Sequence, residues 1–491
     1  MGILPTRLQA ALLGLYIFSN LVYCLILDYR VASSYELLAE LRGRSGVLAV
    51  ANMAPLVLLA GRNNPLIAML RISFDTYNLL HRWIGRVVAI QSIVHTAAWT
   101  ASRVARKPGR SLLSDMQTPY LAWGGIGVAA VVLMALFSPS PLRHAFYETF
   151  LNIHILLAIF AVAGIHLHCS IKDLPPLPYV TAAAALWIME RLLRLAWTLR
   201  RNITLHVWTT AEVTSLPGDA CRVTLRLPRA TYIKPGTHAY LRFARLNIWE
   251  SHPFSIAWIE EASDTARQST PGSSTEKDVP EPAAAQLPIG TRVSFTIQAK
   301  TGLTRRLLDF SRAEHPTAPL VYALFEGPYA GHHSLDSYGH VLLFAGSSGI
   351  THQLLYVRHL LRGHAGGTVA TRRIMLVWAV RDRSHVQWAE PWLSTLLEMA
   401  SEDGVFYPRI YVTRPVVETN PAGNVGIAGG LPICDGRPDF GQIVDDEVSR
   451  QVGAMCVTVC GPGGMADDVR FAVRAVQEMS SVDFIEESFS W

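Results

Sequence analysis

The chain has 491 residues, of which 50% are hydrophobic and 16% charged; 43 Lys and Arg stand against 38 Asp and Glu, a formal net charge of +5. So small an excess leaves no nucleic-acid footprint, and six cysteines (Cys24, Cys169, Cys221, Cys434, Cys456 and Cys460) with no CxxC spacing exclude a thiolate metal cage or a disulfide scaffold. These averages conceal two unlike parts, an apolar one with basic clusters up to about residue 200 and one beyond it that reads as a soluble α/β protein.

Six apolar runs in the first part, at about 9–27, 46–60, 83–101, 119–137, 147–168 and 178–198, predict membrane helices. Runs of ~15–22 residues suffice for ~30 Å of hydrocarbon, the second being short for the purpose. The first run has no A-x-A cleavage site and reads as an anchor. Arg62, Arg71, Arg82 and Arg86 cluster before or at the start of the third run, Arg143 precedes the fifth, and Arg191, Arg194, Arg200 and Arg201 mark the exit of the sixth. Basic residues stay on the cytoplasmic side, so both termini are expected there. Arg103, Arg106, Lys107 and Arg110 then fall outside, as an exception: a solvated loop or a cationic rim.

Two of these runs carry matched histidines, His81 and His95 on one and His154 and His168 on the other, each pair fourteen positions apart. Fourteen helical steps bring a side chain back to within ~40° of the same face about 21 Å further along. Two such helices side by side would set His81 against His154 and His95 against His168, two bis-imidazole holes that suit a haem iron held from both sides. An ionisable group in lipid is costly and usually functional. His166 points ~120° away from the His154 direction and reads as an outer-surface group. Arg82 and Arg86, beside the first hole, suit either haem propionates or interface anchoring.

From Thr204 short β-rich runs at 204–210, 221–227 and 239–243 alternate with turn signals, Pro235-Gly236 among them, and His252-Pro253-Phe254-Ser255-Ile256 is expected to follow a strand. Residues 261–287 are polar and aperiodic and predict a disordered insertion. A strand at 291–298 leads to Lys300-Thr301-Gly302-Leu303-Thr304, which opens a helix whose N-terminus suits phosphate. Strands at 341–345, 373–380, 408–413 and 455–460 then alternate with helical patterns. The first enters Gly346-Ser347-Ser348-Gly349-Ile350-Thr351 and the last Cys460-Gly461-Pro462-Gly463-Gly464, as a doubly wound nucleotide domain requires.

The four histidines, Gly61-Arg62-Asn63-Asn64-Pro65, Tyr77-Asn78-Leu79-Leu80-His81-Arg82-Trp83, the HPFS run, Gly327-Pro328-Tyr329, the GSSGIT turn, Cys460-Gly461-Pro462 and the ending Glu487-Ser488-Phe489-Ser490-Trp491 together resemble fungal ferric reductases. These belong with the NADPH oxidases in one superfamily. The resemblance implies a multidomain membrane protein: an α-helical transmembrane bundle binding two haems, then a ferredoxin-reductase-like module of an antiparallel β-barrel FAD domain and an α/β nucleotide-binding domain. The implied boundaries are 1–200, 201–335 and 336–491. His252, Pro253, Phe254 and Ser255 would meet FAD, with Ser255 close to flavin N5, and Lys300, Gly302 and Thr304 would take its pyrophosphate. NADPH would lie across Gly346, Ser348, Gly349 and Thr351, with Cys460 and Gly461 near the nicotinamide. Arg414, or alternatively Arg381, suits the 2′-phosphate. Trp491 would cover the flavin and yield to nicotinamide. Two positions depart from the family pattern: Ala330 follows Gly327-Pro328-Tyr329 where glycine is usual, and Ser347 interrupts the glycine-rich turn. Both residues are small, so altered detail and retained binding are expected.

The activity so implied passes electrons from cytosolic NADPH through FAD and two b-type haems to Fe(III) chelates, or Cu(II), outside the plasma membrane, in support of an iron permease and oxidase uptake system. The other reading of the same wiring is an NADPH oxidase that makes superoxide from O₂. No EF-hand pattern points to calcium control.

Overall fold

The computed structural model describes residues 7–30, 33–70, 72–106, 111–260, 290–313, 320–331, 333–400, 404–414, 426–428 and 431–487. The expected insertion at 261–287 and Trp491 lie outside them. The chain divides into two compact units, one ending at Ala196 and one beginning at Trp197.

The first unit is helical: α1 (Arg7–Leu25), α2 (Ser34–Ala51), α3 (Met53–Ala60), α5 (Phe74–Arg106), α7 (Pro119–Phe137), α9 (Tyr147–Ile171) and the greater part of α10 (Leu177–Asn202), with α4 (Pro65–Leu70), α6 (Leu112–Asp115) and α8 (Ser140–Ala145) as short connectors. Among the described residues four helices are long and apolar enough to cross a membrane: α1, the continuous span Ser34–Ala60, α7 and α9. Helices α5 and α10, of 33 and 26 residues, have the length but carry more charge. The second apolar run is therefore not short. Its helix starts at Ser34, capped by the Ser33 hydroxyl, and bends at Asn52; polar residues such as Glu36, Glu40, Arg42 and Arg44 hide its first turns from a hydropathy reading. The third run starts earlier as well, at Phe74, which places His81 well inside α5.

Bare backbone draws these helices together. A Cβ on Gly164 of α9 would lie 2.9 Å from the Gly127 nitrogen and the Trp123 carbonyl of α7, so only glycine permits this approach. At the Asn52 bend the freed polarity is satisfied inside the bundle. Tyr16 donates its hydroxyl to Asn52 (2.9 Å), and Asn52 and Gln91 both donate to the Asn20 side-chain oxygen (2.8 and 3.0 Å). Leu15 and Phe18 of α1, more than 60% exposed, present the apolar outside that lipid requires.

The second unit holds two seven-stranded sheets. The first contains β1 (Thr210–Leu216), β2 (Ala220–Arg226), β3 (Thr237–Phe243), β4 (Asn247–Ser255), β5 (Trp258–Glu260), β6 (Arg292–Gln298) and β7 (Leu320–Ala330), with α11 (Leu303–Ala313) before β7. Its order is β4-β3-β7-β1-β2-β6-β5, every pairing antiparallel. Residues 204–209 do not form the expected strand. Leu205 points into solvent, and an Ile203–Trp208 bridge closes a turn before β1 begins at Thr210. The HPFS run likewise does not follow a strand; it is the end of β4.

The second sheet comprises β8 (His340–Gly346), β9 (Arg373–Val380), β10 (Phe406–Val412), β11 (Gly426–Ala428), β12 (Leu431–Asp435), β13 (Met455–Cys460) and β14 (Val482–Glu487), interleaved with α12 (Ile350–Ala365), α13 (Glu390–Ala400), α14 (Phe440–Ser449) and α15 (Gly463–Val476). Strands β12-β10-β9-β8-β13-β14 run parallel, and β11 adds an antiparallel edge. Every residue of β8 and β13 is buried, as the continuous apolar runs predict for strands covered on both faces. Together the two sheets form a ferredoxin-reductase-like module.

Candidate functional site

The four histidines meet as their spacing predicts. The ring centres of His81 and His154 lie 6.3 Å apart, and those of His95 and His168 lie 6.5 Å apart. An imidazole nitrogen bonds a first-row metal ion at about 2 Å and sits about 1 Å from its ring centre, so two rings on one ion have centres about 6 Å apart. The pairs therefore fit an iron held between them. Three rings are also fixed in tautomer: Nδ1 of His81 donates to the Leu56 carbonyl (2.9 Å), that of His95 to Arg42 (2.8 Å) and that of His168 to Tyr120 (2.8 Å). This leaves each Nε2 as the free lone pair, which a metal ligand needs. His166 faces away from these holes, toward Thr181 and the apolar groove between α9 and α10.

These carbonyls are reachable because their helices carry glycine beside them. A Cβ on Gly46 would stand 2.5 Å from His95 Nδ1, and one on Gly124 would stand 2.7 Å from His168 Nδ1. A glycine inside an apolar helix is the one sequence signal that could have found these two positions.

In the antiparallel sheet β4 is an edge strand, paired on one side with β3 alone. Its register sets Ser255 opposite His238, Phe254 opposite Ala239, Pro253 opposite Tyr240 and His252 opposite Leu241. Side chains alternate along a strand, so His252 and Phe254 share one face while Pro253 and Ser255 share the other with His238 and Tyr240. All four HPFS residues are half-buried, unlike the sealed core positions Ala239 and Leu241. Next to them Glu326, only 3% exposed, accepts from Arg242 (2.9 Å) and from the Tyr329 hydroxyl (3.1 Å), a polar group the sequence reading missed. The turn with Lys300, Gly302 and Thr304 opens α11 as expected. Gly302 takes φ +64°, and the Thr304 hydroxyl accepts from the Lys300 N–H at 3.0 Å. Arg306 one helical turn on binds Glu250 of β4, which brings this turn alongside the HPFS strand.

The nucleotide crevice lies at the carboxyl ends of β8 and β13, neighbours in the parallel sheet. Gly346 and Gly461 bring their backbones together, a Cβ on Gly461 standing 3.1 Å from the Gly346 nitrogen, and a Cβ on Gly349 would strike the Cys460 carbonyl at 2.0 Å. Gly346, Ser348, Gly349, Thr351, Cys460 and Gly461 thus share one crevice, with the Thr351 hydroxyl closing the turn onto the Ser348 carbonyl (2.8 Å). Burial and the nearby Glu487 push the Cys460 thiol up, so it stays neutral. Arg414 and Arg381 are both exposed and adjacent at the ends of β10 and β9, the Arg414 N–H donating to the Arg381 carbonyl at 3.1 Å.

A bundle with two metal-spaced histidine pairs, followed by a flavin-type barrel and a pyridine-nucleotide fold, defines a membrane-embedded flavin-linked reductase. The family model described as "Ferric reductase like transmembrane component" matches residues 45–165, "FAD-binding domain" matches 206–266 and "Ferric reductase NAD binding domain" matches 338–474. The chain thus carries the transmembrane and NAD-binding domains of ferric reductases and is an integral membrane protein. Ferric reductase transmembrane component 3 of Saccharomyces cerevisiae is 25% identical over 100% of this chain and 68% of its own length. Ferric/cupric reductase transmembrane component 2 of the same yeast is 24% identical, also over 100% and 68%. A probable ferric reductase transmembrane component of Candida albicans is 23% identical, over 100% and 72%.

Proposed function

We propose that this protein is an NADPH-dependent ferric-chelate reductase that moves electrons from the cytosol across the plasma membrane to extracellular Fe(III) chelates, with Cu(II) as a second acceptor, in support of iron uptake through a permease and oxidase system. The observation that carries this reading is the pair of His–His holes at 6.3 and 6.5 Å in a chain that also holds a nucleotide crevice. When bound, FAD supplies the conversion of a two-electron hydride into single electrons, and two haem b groups supply the relay through the bilayer.

His81 with His154, and His95 with His168, would hold the haems, and the carbonyls of Leu56, Arg42 and Tyr120 orient three of those rings. His252, Pro253 and Phe254 line the flavin site, Ser255 offers its hydroxyl toward the reactive edge, and Lys300, Gly302 and Thr304 offer backbone and side-chain donors to the pyrophosphate. Gly346, Ser348, Gly349 and Thr351 cradle NADPH, the neutral Cys460 thiol with Gly461 leaves space without charge beside the nicotinamide, and Arg414 takes the 2′-phosphate. Trp491, outside the described residues, would cover the flavin and yield to nicotinamide. The haem domain then spans 1–200, the FAD domain 201–335 and the NADPH domain 336–491, with both termini cytoplasmic.

The test measures NADPH-dependent Fe(II) capture by a ferrous chelator in membranes expressing the protein, with and without superoxide dismutase. Direct ferric reduction is expected to be indifferent to the dismutase; its abolition would instead make the protein an oxidase. Two haems per chain are expected, falling to one in His95→Ala.

A further inference from the structure

We propose that Ser138 makes the two haem sites inequivalent by withholding a backbone carbonyl from His154; this rests on the four-histidine reading above.

The carbonyls that serve the rings repeat at the same interval as the histidines. Arg42 and Leu56, fourteen residues apart on the Ser34–Ala60 span, serve His95 and His81, fourteen apart on α5. On the other side Tyr120 of α7 serves His168 of α9. These two helices run antiparallel in contact, with Gly124 facing His168 and Gly127 facing Gly164 and Ile165. Fourteen residues forward on α7 and fourteen back on α9, this register sets the Met134 carbonyl opposite His154. The Ser138 hydroxyl, four residues on, already donates to that carbonyl at 2.5 Å. His154 Nδ1 is buried and has no hydrogen-bond partner.

The residue four places beyond each carbonyl stands at its side. It is Gly46 after Arg42, Gly124 after Tyr120 and Ala60 after Leu56, all without a polar side chain. At the fourth position it is Ser138, the residue that caps the C-terminus of α7, where a short hydroxyl readily bonds back to the carbonyl four residues earlier.

An imidazole that donates Nδ1–H to a carbonyl is the stronger metal donor and favours the ferric ion. His95 and His168 both have this support, but only His81 has it in the other pair. The iron between His81 and His154 is therefore easier to reduce than a fully supported site would be, and Ser138 acts as a positioning residue that sets this through His154.

The test is an optical redox titration with low-temperature electron paramagnetic resonance on the purified full-length protein. Ser138→Ala and Ser138→Thr are compared with the wild type, each also in a His95→Leu background that isolates the His81/His154 haem. Freeing the Met134 carbonyl in Ser138→Ala should lower the midpoint potential of that haem and move its g values. The other haem should stay put, and Ser138→Thr, which keeps the hydroxyl, should match the wild type. Unchanged potentials in Ser138→Ala, or an equal shift in Ser138→Thr, would overturn the proposal, as would haem lost from Ser138→Ala and retained in Ser138→Thr. A wild type that holds fewer than two haems would instead overturn the four-histidine reading beneath it.

Discussion

Tyr120 holds His168 twice: its carbonyl accepts the Nδ1–H at 2.8 Å, and its ring stacks on the imidazole with centres 4.2 Å apart and planes 17° from parallel. Gly124 leaves room for this arrangement, since any Cβ there would stand 2.7 Å from Nδ1. Gly124→Val should push the ring off its carbonyl and weaken haem affinity at that pair by about 10–100-fold. The haem-to-protein ratio of the purified variant should fall from two toward one, and Gly46→Val should do the same from the His95 side.

Both departures from the family's glycine pattern sit where glycine would be easiest. Ala330 has φ +65° and Ser347 has φ +53°, and the Ser347 carbonyl is held there by the Trp378 indole N–H at 2.9 Å. A residue with a Cβ loses about 1–2 kcal/mol in this conformation, while glycine loses about 0.5–1 kcal/mol through its freer unfolded state. Ala330→Gly and Ser347→Gly should each stabilise the protein by up to about 1 kcal/mol. Heat-induced release of flavin fluorescence should show a small rise in midpoint, and Ser347→Val should lower it.

At the amino ends of β8 and β9, opposite the nucleotide crevice, Glu447 accepts from Arg373 at 2.7 and 2.9 Å and from His340 at 2.9 Å, with almost no solvent access. Burial alone would raise its carboxyl, but these partners bring it down to about 2. A carboxyl held below its ordinary 4.5 stabilises the fold fully above that value and loses the contribution as pH falls toward about 2. Glu447→Gln should cost about 3–5 kcal/mol at neutral pH because it leaves Arg373 uncompensated. Unfolding followed between pH 7 and pH 3 should show the wild type approaching the variant at the acid end.

Arg414 and Arg381 compete for one role. If Arg414 binds the 2′-phosphate, Arg414→Ala loses a charge-assisted contact of roughly 1.5–3 kcal/mol, about a 10- to 100-fold rise in KM for NADPH. KM for NADH should not change. Arg381→Ala should have the smaller effect, and the reverse order would assign the phosphate to Arg381.

Much of this architecture is legible in the residues alone. The buried runs of β8, β9 and β13 announce a parallel sheet because strands covered on both faces have little room for polar positions. The fourteen-residue histidine spacing announces two ligand levels because the helical period returns both rings to one face. The HPFS run is less legible as a strand, because a proline and mixed polarity suit a strand only at a sheet edge, and the strand order that makes β4 an edge is not written in the sequence. The start of α5 was hidden by Asp75, Asn78, His81 and Arg82, which lower local hydropathy without breaking the helix.

The sequence by itself thus determined which side chains could hold metal and nucleotide, since chemical type and period are written residue by residue. Tertiary structure alone decided which backbone groups support them. Every residue carries a carbonyl, and only the packing of α2–α3 on α5 and of α7 on α9 selects Arg42, Leu56 and Tyr120 as partners. The same packing sets Ser138 at the end of α7 where its hydroxyl occupies the Met134 carbonyl, because contact across helices depends on register and not on composition.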